Sequence, residues 1–120
     1  MNKIALKVQQ AFETSYGSRP THLIRAPGRV NLIGEHTDYS GGFVMPLALE
    51  QAHWIAVRPR NDQAVILHSL DYDDSTKVNL TQPQLHLKGW QEYLNGVVWV
   101  LQEENWPLSG WEGVMAGDVP

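Results

Sequence analysis

The stretch from Ala26 to Gly42, APGRVNLIGEHTDYSGG, constrains this chain more than any other part of it. Pro27-Gly28 opens it and Gly41-Gly42 closes it. Between them Val30 and Leu32 alternate with Arg29 and Asn31, a period of two that predicts a strand. Gly34 breaks that strand, and Glu35-His36-Thr37-Asp38 follows as a polar loop. Arg29, Glu35, His36 and Asp38 all fall within ten residues. Hydrogen-bonding side chains in a row, with apolar anchors behind and glycines ahead, describe a polar small-molecule site better than a core.

The flanking sequence supplies the scaffold. Ile4, Val8, Phe12 and Tyr16 recur every fourth residue, so Asn2–Tyr16 reads as an amphipathic helix stopped by Gly17. Thr21–Ala26 is a short strand that pairs with Val30–Ile33 across Pro27-Gly28. Phe43–Leu49 is mostly apolar and reads as buried, with Pro46 marking an edge or a bend. Ala52–Val57 and Ala64–Ser69 are strands joined through Pro59-Arg60-Asn61-Asp62. Asp71–Asp74 is an acidic turn, Thr76–Leu80 alternates again, and Gln82–Gly89 is loop. Trp90, Leu94, Val97, Val98 and Leu101 share one face of a second helix, Trp90–Glu104, ended by Trp106-Pro107 and Gly110. Trp111–Ala116 is a last strand. Strands outnumber helices and do not alternate regularly with them, which indicates an α+β fold.

Composition narrows the function classes. The 120 residues make one small domain or a piece of a larger one. A net charge of −4 without a basic patch argues against nucleic acid. The absence of cysteine rules out disulfides and thiolate chemistry in these residues and fits a reducing cytoplasm. The N-terminal residues lack the apolar core of a secretory signal, and no stretch approaches the ~20 apolar residues of a membrane span. Neither a G-x-x-x-x-G-K-[ST] loop nor G-x-G-x-x-G is present, so this is not a P-loop kinase.

Individual residues leave alternatives open. Arg29 is either a surface arginine paired to an acid or a fixed guanidinium aimed at developing charge, as phosphoryl transfer uses. Glu35, His36 and Asp38 can hold vicinal hydroxyls and reject an epimer that leaves them unpaired. Thr37 and Asp38 also suit a capped turn. His36-x-Asp38 with Glu35 could ligate a metal, but no second histidine cluster supports that. His22, His53, His68 and His86 are scattered and read as ordinary residues. Trp90 and Tyr93 lie one helical turn apart, which suits core packing or an aromatic pair against a ligand ring. Trp54, Trp99, Trp106 and Trp111 read as structural.

GRVNLIGEHTDYSGG resembles the galactokinase signature, the sugar-contacting motif of that family within the GHMP-type small-molecule kinases. The opening helix, VMPLALE, Trp-x-x-Tyr at Trp90 and Tyr93, and the closing GDVP fall in the family's order, so the likeness covers essentially all 120 residues. Ser40 stands where the family commonly has Asn. The resemblance implies part of a GHMP-kinase N-terminal domain over residues 1–120, of the ribosomal-protein-S5-domain-2-like type, a mixed sheet with helices on one side. It implies ATP-dependent phosphorylation of α-D-galactose at its anomeric hydroxyl, with ATP and Mg²⁺, in a cytoplasmic, monomeric parent. Arg29 becomes the transition-state stabiliser, Glu35, His36, Thr37 and Asp38 the galactose contacts, and Trp90 with Tyr93 the adenine pocket. The family's phosphate loop, aspartate base and magnesium ligands are expected beyond Pro120, so the chain reads as truncated, inactive alone and marginally stable. Relatives acting on N-acetylgalactosamine or arabinose, or a galactose sensor without catalysis, share the same signature.

Overall fold

A computed structural model describes residues 2–33, 45–82 and 89–119. The first helix, α1, spans Lys3–Tyr16. The Asn2 side chain accepts hydrogen bonds from the amides of Ile4 and Ala5, which caps the start. Gly17 ends the helix at φ 74°, a left-handed conformation that glycine adopts without strain, and its amide donates to the Glu13 carbonyl. Ala5, Val8 and Phe12 make up the buried stripe.

Five strands follow: β1 (His22–Ile33), β2 (Met45–Pro59), β3 (Ala64–Ser69), β4 (Asp74–Asn79) and, after helix α2 (Trp90–Glu103), β5 (Trp111–Gly117). They form one mixed sheet in the order β1-β2-β5-β3-β4. β5 runs parallel to β3, and every other pair is antiparallel. The strands at 52–57 and 64–69 therefore do not pair with each other, because β5 lies between them. Arg60 anchors the intervening turn by donating its amide to the Gly110 carbonyl just before β5.

Two expectations about the strands and one about the tryptophans are corrected. Thr21–Ala26 and Val30–Ile33 do not form a hairpin; they are halves of β1, which runs through Pro27-Gly28. The ladder to β2 continues past an irregularity between Pro27 and Arg29, and on an edge strand the missing proline N–H costs no internal hydrogen bond. The apolar segment leading into β2 is not buried in its described part: Met45 and Leu47 are about half exposed. There β2 pairs only with β1, which also accommodates Pro46. Of the tryptophans read as structural, Trp99 and Trp106 are exposed.

Two apolar clusters hold the layers together. Val8 and Phe12 of α1 pack on Ala56, Val114 and Ala116. Val98 of α2 packs with Val65, Val78 and Leu80, flanked by Leu94 and Trp111. Trp111 and Val114 are three positions apart on one strand, so they point to opposite faces. The α+β class and the mixed sheet stand, but α1 and α2 cover opposite faces rather than one side. The buried face of α2 is also turned from the predicted one: Asn95 and Val98 are buried, whereas Val97 is exposed.

Candidate functional site

Arg29 lies in β1 opposite Ala48, immediately past the irregularity in the ladder. Its side chain belongs to an exposed residue. The local backbone is tightly determined. A Cβ on Gly28 would come within 3.0–3.2 Å of both Val119 methyl groups and 3.4 Å of Leu49, so glycine leaves just the space that Val119 fills. Across the ladder the Arg25 guanidinium donates to the carbonyls of Leu49 and Glu50, satisfying backbone where the register shifts. Ile33 pairs with Met45, so the connection carrying Glu35, His36, Thr37 and Asp38 leaves and re-enters at one end of this ladder. Those four residues lie outside the described residues.

Trp90 opens α2 and is half-buried. Its ring stacks in parallel on Tyr72 of the β3–β4 turn, with centroids 6.2 Å apart. Tyr93, one turn on, is 80% exposed. It lines an apolar groove of about 760 Å³ along the outward side of α2, with Val97, Trp99 and Val100. Trp90 and Tyr93 thus start one helix but differ in setting: one is backed by an aromatic partner and the other is open to solvent. Arg29 and this helix belong to different ends of the sheet, since β1 is one edge and α2 packs over β3 and β4.

What lies between them was not foreseen from sequence. The Gly117 amide donates to Oδ2 of Asp71 at 2.9 Å. Asp118 accepts from the Ala52 amide at 2.9 Å and returns its own amide to the Ala52 carbonyl. Neither aspartate belongs to a motif with that role. An acidic turn and a polar residue after a strand carry no local sign that they will meet.

A second polar cluster occupies the α1 side. Buried Glu112 accepts from Arg58 and Arg60, and Arg60 also grips Asp62. The Arg58 guanidinium lies over the rings of Phe12 and Tyr16 and donates to Ser18. Its hydrogen bonds to Arg60 hold the Asp62 carboxyl down at about 2, and burial followed by the nearby Glu112 charge pushes the Tyr16 phenol up. Two guanidiniums face two carboxylates here, so the cluster is internally neutral and fastens α1 to the sheet. Among the described residues no group of three or more His, Cys, Asp or Glu side chains converges. No described helix is long and apolar enough to cross a membrane.

A family model, the galactokinase galactose-binding signature, matches residues 10–59. The galactokinase of Roseiflexus sp. (strain RS-1) is 41% identical over 95% of this chain and 29% of its own length. That of Chloroflexus aurantiacus is 46% identical over 92% of this chain and 28% of its own length. The structure of Lactococcus lactis galactokinase complexed with galactose matches with a TM-score of 0.76 at 28% identity, covering 93% of this chain and 30% of that one. Methanococcus jannaschii mevalonate kinase matches at a TM-score of 0.62 and 22% identity, which shows a shared fold. The chain spans less than a third of the length of these galactokinases. With the galactose-binding signature over residues 10–59 and 41–46% identity along nearly all its residues, the chain matches a part of the galactokinases.

Proposed function

We propose that these residues form the sugar-side part of an ATP-dependent galactokinase. The anomeric hydroxyl oxygen of galactose attacks the γ-phosphorus of ATP, the bond from that phosphorus to the β–γ bridging oxygen breaks, and ADP leaves. The hydroxyl proton passes to a base outside this chain. The observation that carries the reading is the match to the galactose-binding signature over residues 10–59, which spans the β1–β2 ladder with Arg29 on its edge strand.

Phosphoryl transfer asks the protein for positioning and for cations near the charge that develops. Arg29 supplies a planar guanidinium on a strand whose path is fixed by the Gly28–Val119 contact. Glu35, His36, Thr37 and Asp38 would hold the sugar hydroxyls, with carboxylate acceptors that an epimer would leave unpaired. Trp90 and Tyr93 would seat the adenine, Trp90 stiffened by its stack on Tyr72. No step is assigned to magnesium on the residues described. We place the parent enzyme in the cytoplasm as a monomer, and expect these 120 residues alone to transfer no phosphoryl group.

The test is coupled-assay kinetics on the full-length parent. Galactose-dependent ADP release is expected, and Arg29→Ala should lower kcat by about 10³-fold, in the range for removing a cation from a phosphoryl-transfer site. No turnover of galactose by the parent, or an unchanged kcat in Arg29→Ala, refutes the corresponding assignment.

A further inference from the structure

The segment Gly117–Val119 touches both ends of the candidate site. On one side the Gly117 amide is bound by Asp71, the neighbour in sequence of Tyr72, whose ring backs Trp90. On the other side Val119 fills the space beside Gly28, the neighbour of Arg29. Between these contacts Asp118 ties the segment to β2 through both hydrogen bonds to Ala52. The His53 ring lies against Gly117, where a Cβ would come within 2.2 Å of its Nδ1, so a larger residue here would have to displace that ring. The β3–β4 turn is itself fixed to β5, since Leu70 donates its amide to the Met115 carbonyl, and the Tyr72 amide ties the turn back to Oγ of Ser69 at the end of β3.

We propose that Asp71 and Asp118 are positioning residues that clasp Gly117–Val119 between the Arg29 strand and the Tyr72–Trp90 stack. The two side chains do different jobs. Asp118 replaces a backbone acceptor and prolongs the β2–β5 ladder past its last paired residue. Asp71 reaches from the turn after β3, the neighbouring strand on the side away from β2, and takes an amide at the very end of β5. Removing either carboxylate lets the chain leaving β5 shift relative to one end of the site. Neither residue touches a reacting atom, so their effect runs through the distance between the sugar side and the nucleotide side. The proposal rests on the galactokinase reading for its kinetic consequence but not for its structural one.

The experiment uses the full-length parent with Asp71→Ala and Asp71→Asn, read by hydrogen exchange of peptides covering 116–119 and by steady-state kinetics. In Asp71→Ala, exchange at these amides should rise about tenfold as the hydrogen bond is lost. Its kcat should fall about tenfold or more, since small misplacements of reacting groups are costly, while the galactose KM stays within about twofold. Asp71→Asn keeps an oxygen acceptor and should stay close to the wild type in both readouts. Equal exchange in wild type and Asp71→Ala overturns the clasp. So does an Asn variant that falls as far as Ala, or a kcat loss that only follows the unfolded fraction. An enzyme inactive on galactose removes the galactokinase reading alone, and the exchange comparison between the two variants then decides the clasp.

Discussion

Glu112→Ala should be the most damaging single change on the α1 side of the sheet. The Glu112 side chain is 7% exposed and accepts from Arg58 Nε at 2.9 Å and Nη2 at 2.5 Å through one oxygen. Its other oxygen accepts from Arg60 at 2.9 Å. Removing one member of a buried ion pair costs about 3–5 kcal/mol, because the partner is left uncompensated. The Arg58 side chain is 29% exposed and can partly rehydrate, so the low end, about 3 kcal/mol, applies. That figure rests on Arg58 alone, since Arg60 keeps Asp62 after the change. Against a typical total of 5–15 kcal/mol it is a large fraction. At about 4 °C per kcal/mol for a domain near this length, the melting temperature should fall by ~12 °C. Urea titration followed by tryptophan fluorescence, on wild type, Glu112→Ala, Arg58→Ala and the double variant, checks the reasoning. The cycle should give a coupling of about 1 kcal/mol or more. A loss below ~1 kcal/mol for Glu112→Ala, or additive single effects, would falsify a buried pair as the fastening of α1.

The other predictions follow from caps and titrations. Asn2→Ala removes the acceptor for two amides at the start of α1 and should cost about 1 kcal/mol, measurable as a shifted urea midpoint at unchanged slope. Asp62 is depressed in the folded chain from 3.8 to about 2 by its hydrogen bonds to Arg60, so its contribution is complete above 3.8 and disappears as pH falls through about 2. Arg60→Met should flatten that part of a stability–pH curve. Tyr16 is raised from 10.0 by burial and then by Glu112, so its contribution is complete below 10.0 and is lost as pH climbs through the folded value. Tyr16→Phe should remove that alkaline slope.

How much of this was readable depended on how far apart the interacting residues are. α1 was legible to within a residue because its signals are local: Asn2 before the stripe and Gly17 after it. β1 was misread because Pro27-Gly28 looks like a turn to its neighbours. The pairing that overrides it comes from β2, where Pro27 meets Ala52 and Arg29 meets Ala48, about twenty residues on. Similarly, the apolar run Trp90, Leu94, Val97, Val98 and Leu101 located α2 but not its orientation. The sheet face it meets is built by Val65, Val78 and Leu80, and only Val98 of the run is fully buried against them. Among site residues, Arg29 was reached through the signature motif, and its exposed place beside a tightly determined glycine is compatible with the role assigned. Asp71 and Asp118 were passed over, since their partners, Gly117 and Ala52, lie 46 and 66 residues away.

The position of β5 explains why these long-range contacts matter together. β1 with β2 and β3 with β4 are each hairpin-like ladders, and no pairing joins β2 to β3. β5, the last of the described strands, joins the two ladders, antiparallel to one and parallel to the other. Such non-local pairing has to overcome loop-closure entropy before it yields contacts, so the strand that completes the sheet needs strong anchors of its own. It has one near each end. Glu112 fastens its start to Arg58, Arg60 and through them to α1, and the Asp71 and Asp118 contacts fasten its end. The start anchor is buried and charged, and its loss is felt as stability. The end anchors are exposed side chains on backbone amides, and their loss is felt in where the chain goes next. One strand therefore lets the fold be held rigid on the α1 side while the relation between Arg29 and Trp90 is set, five residues later, by Gly117 and its neighbours.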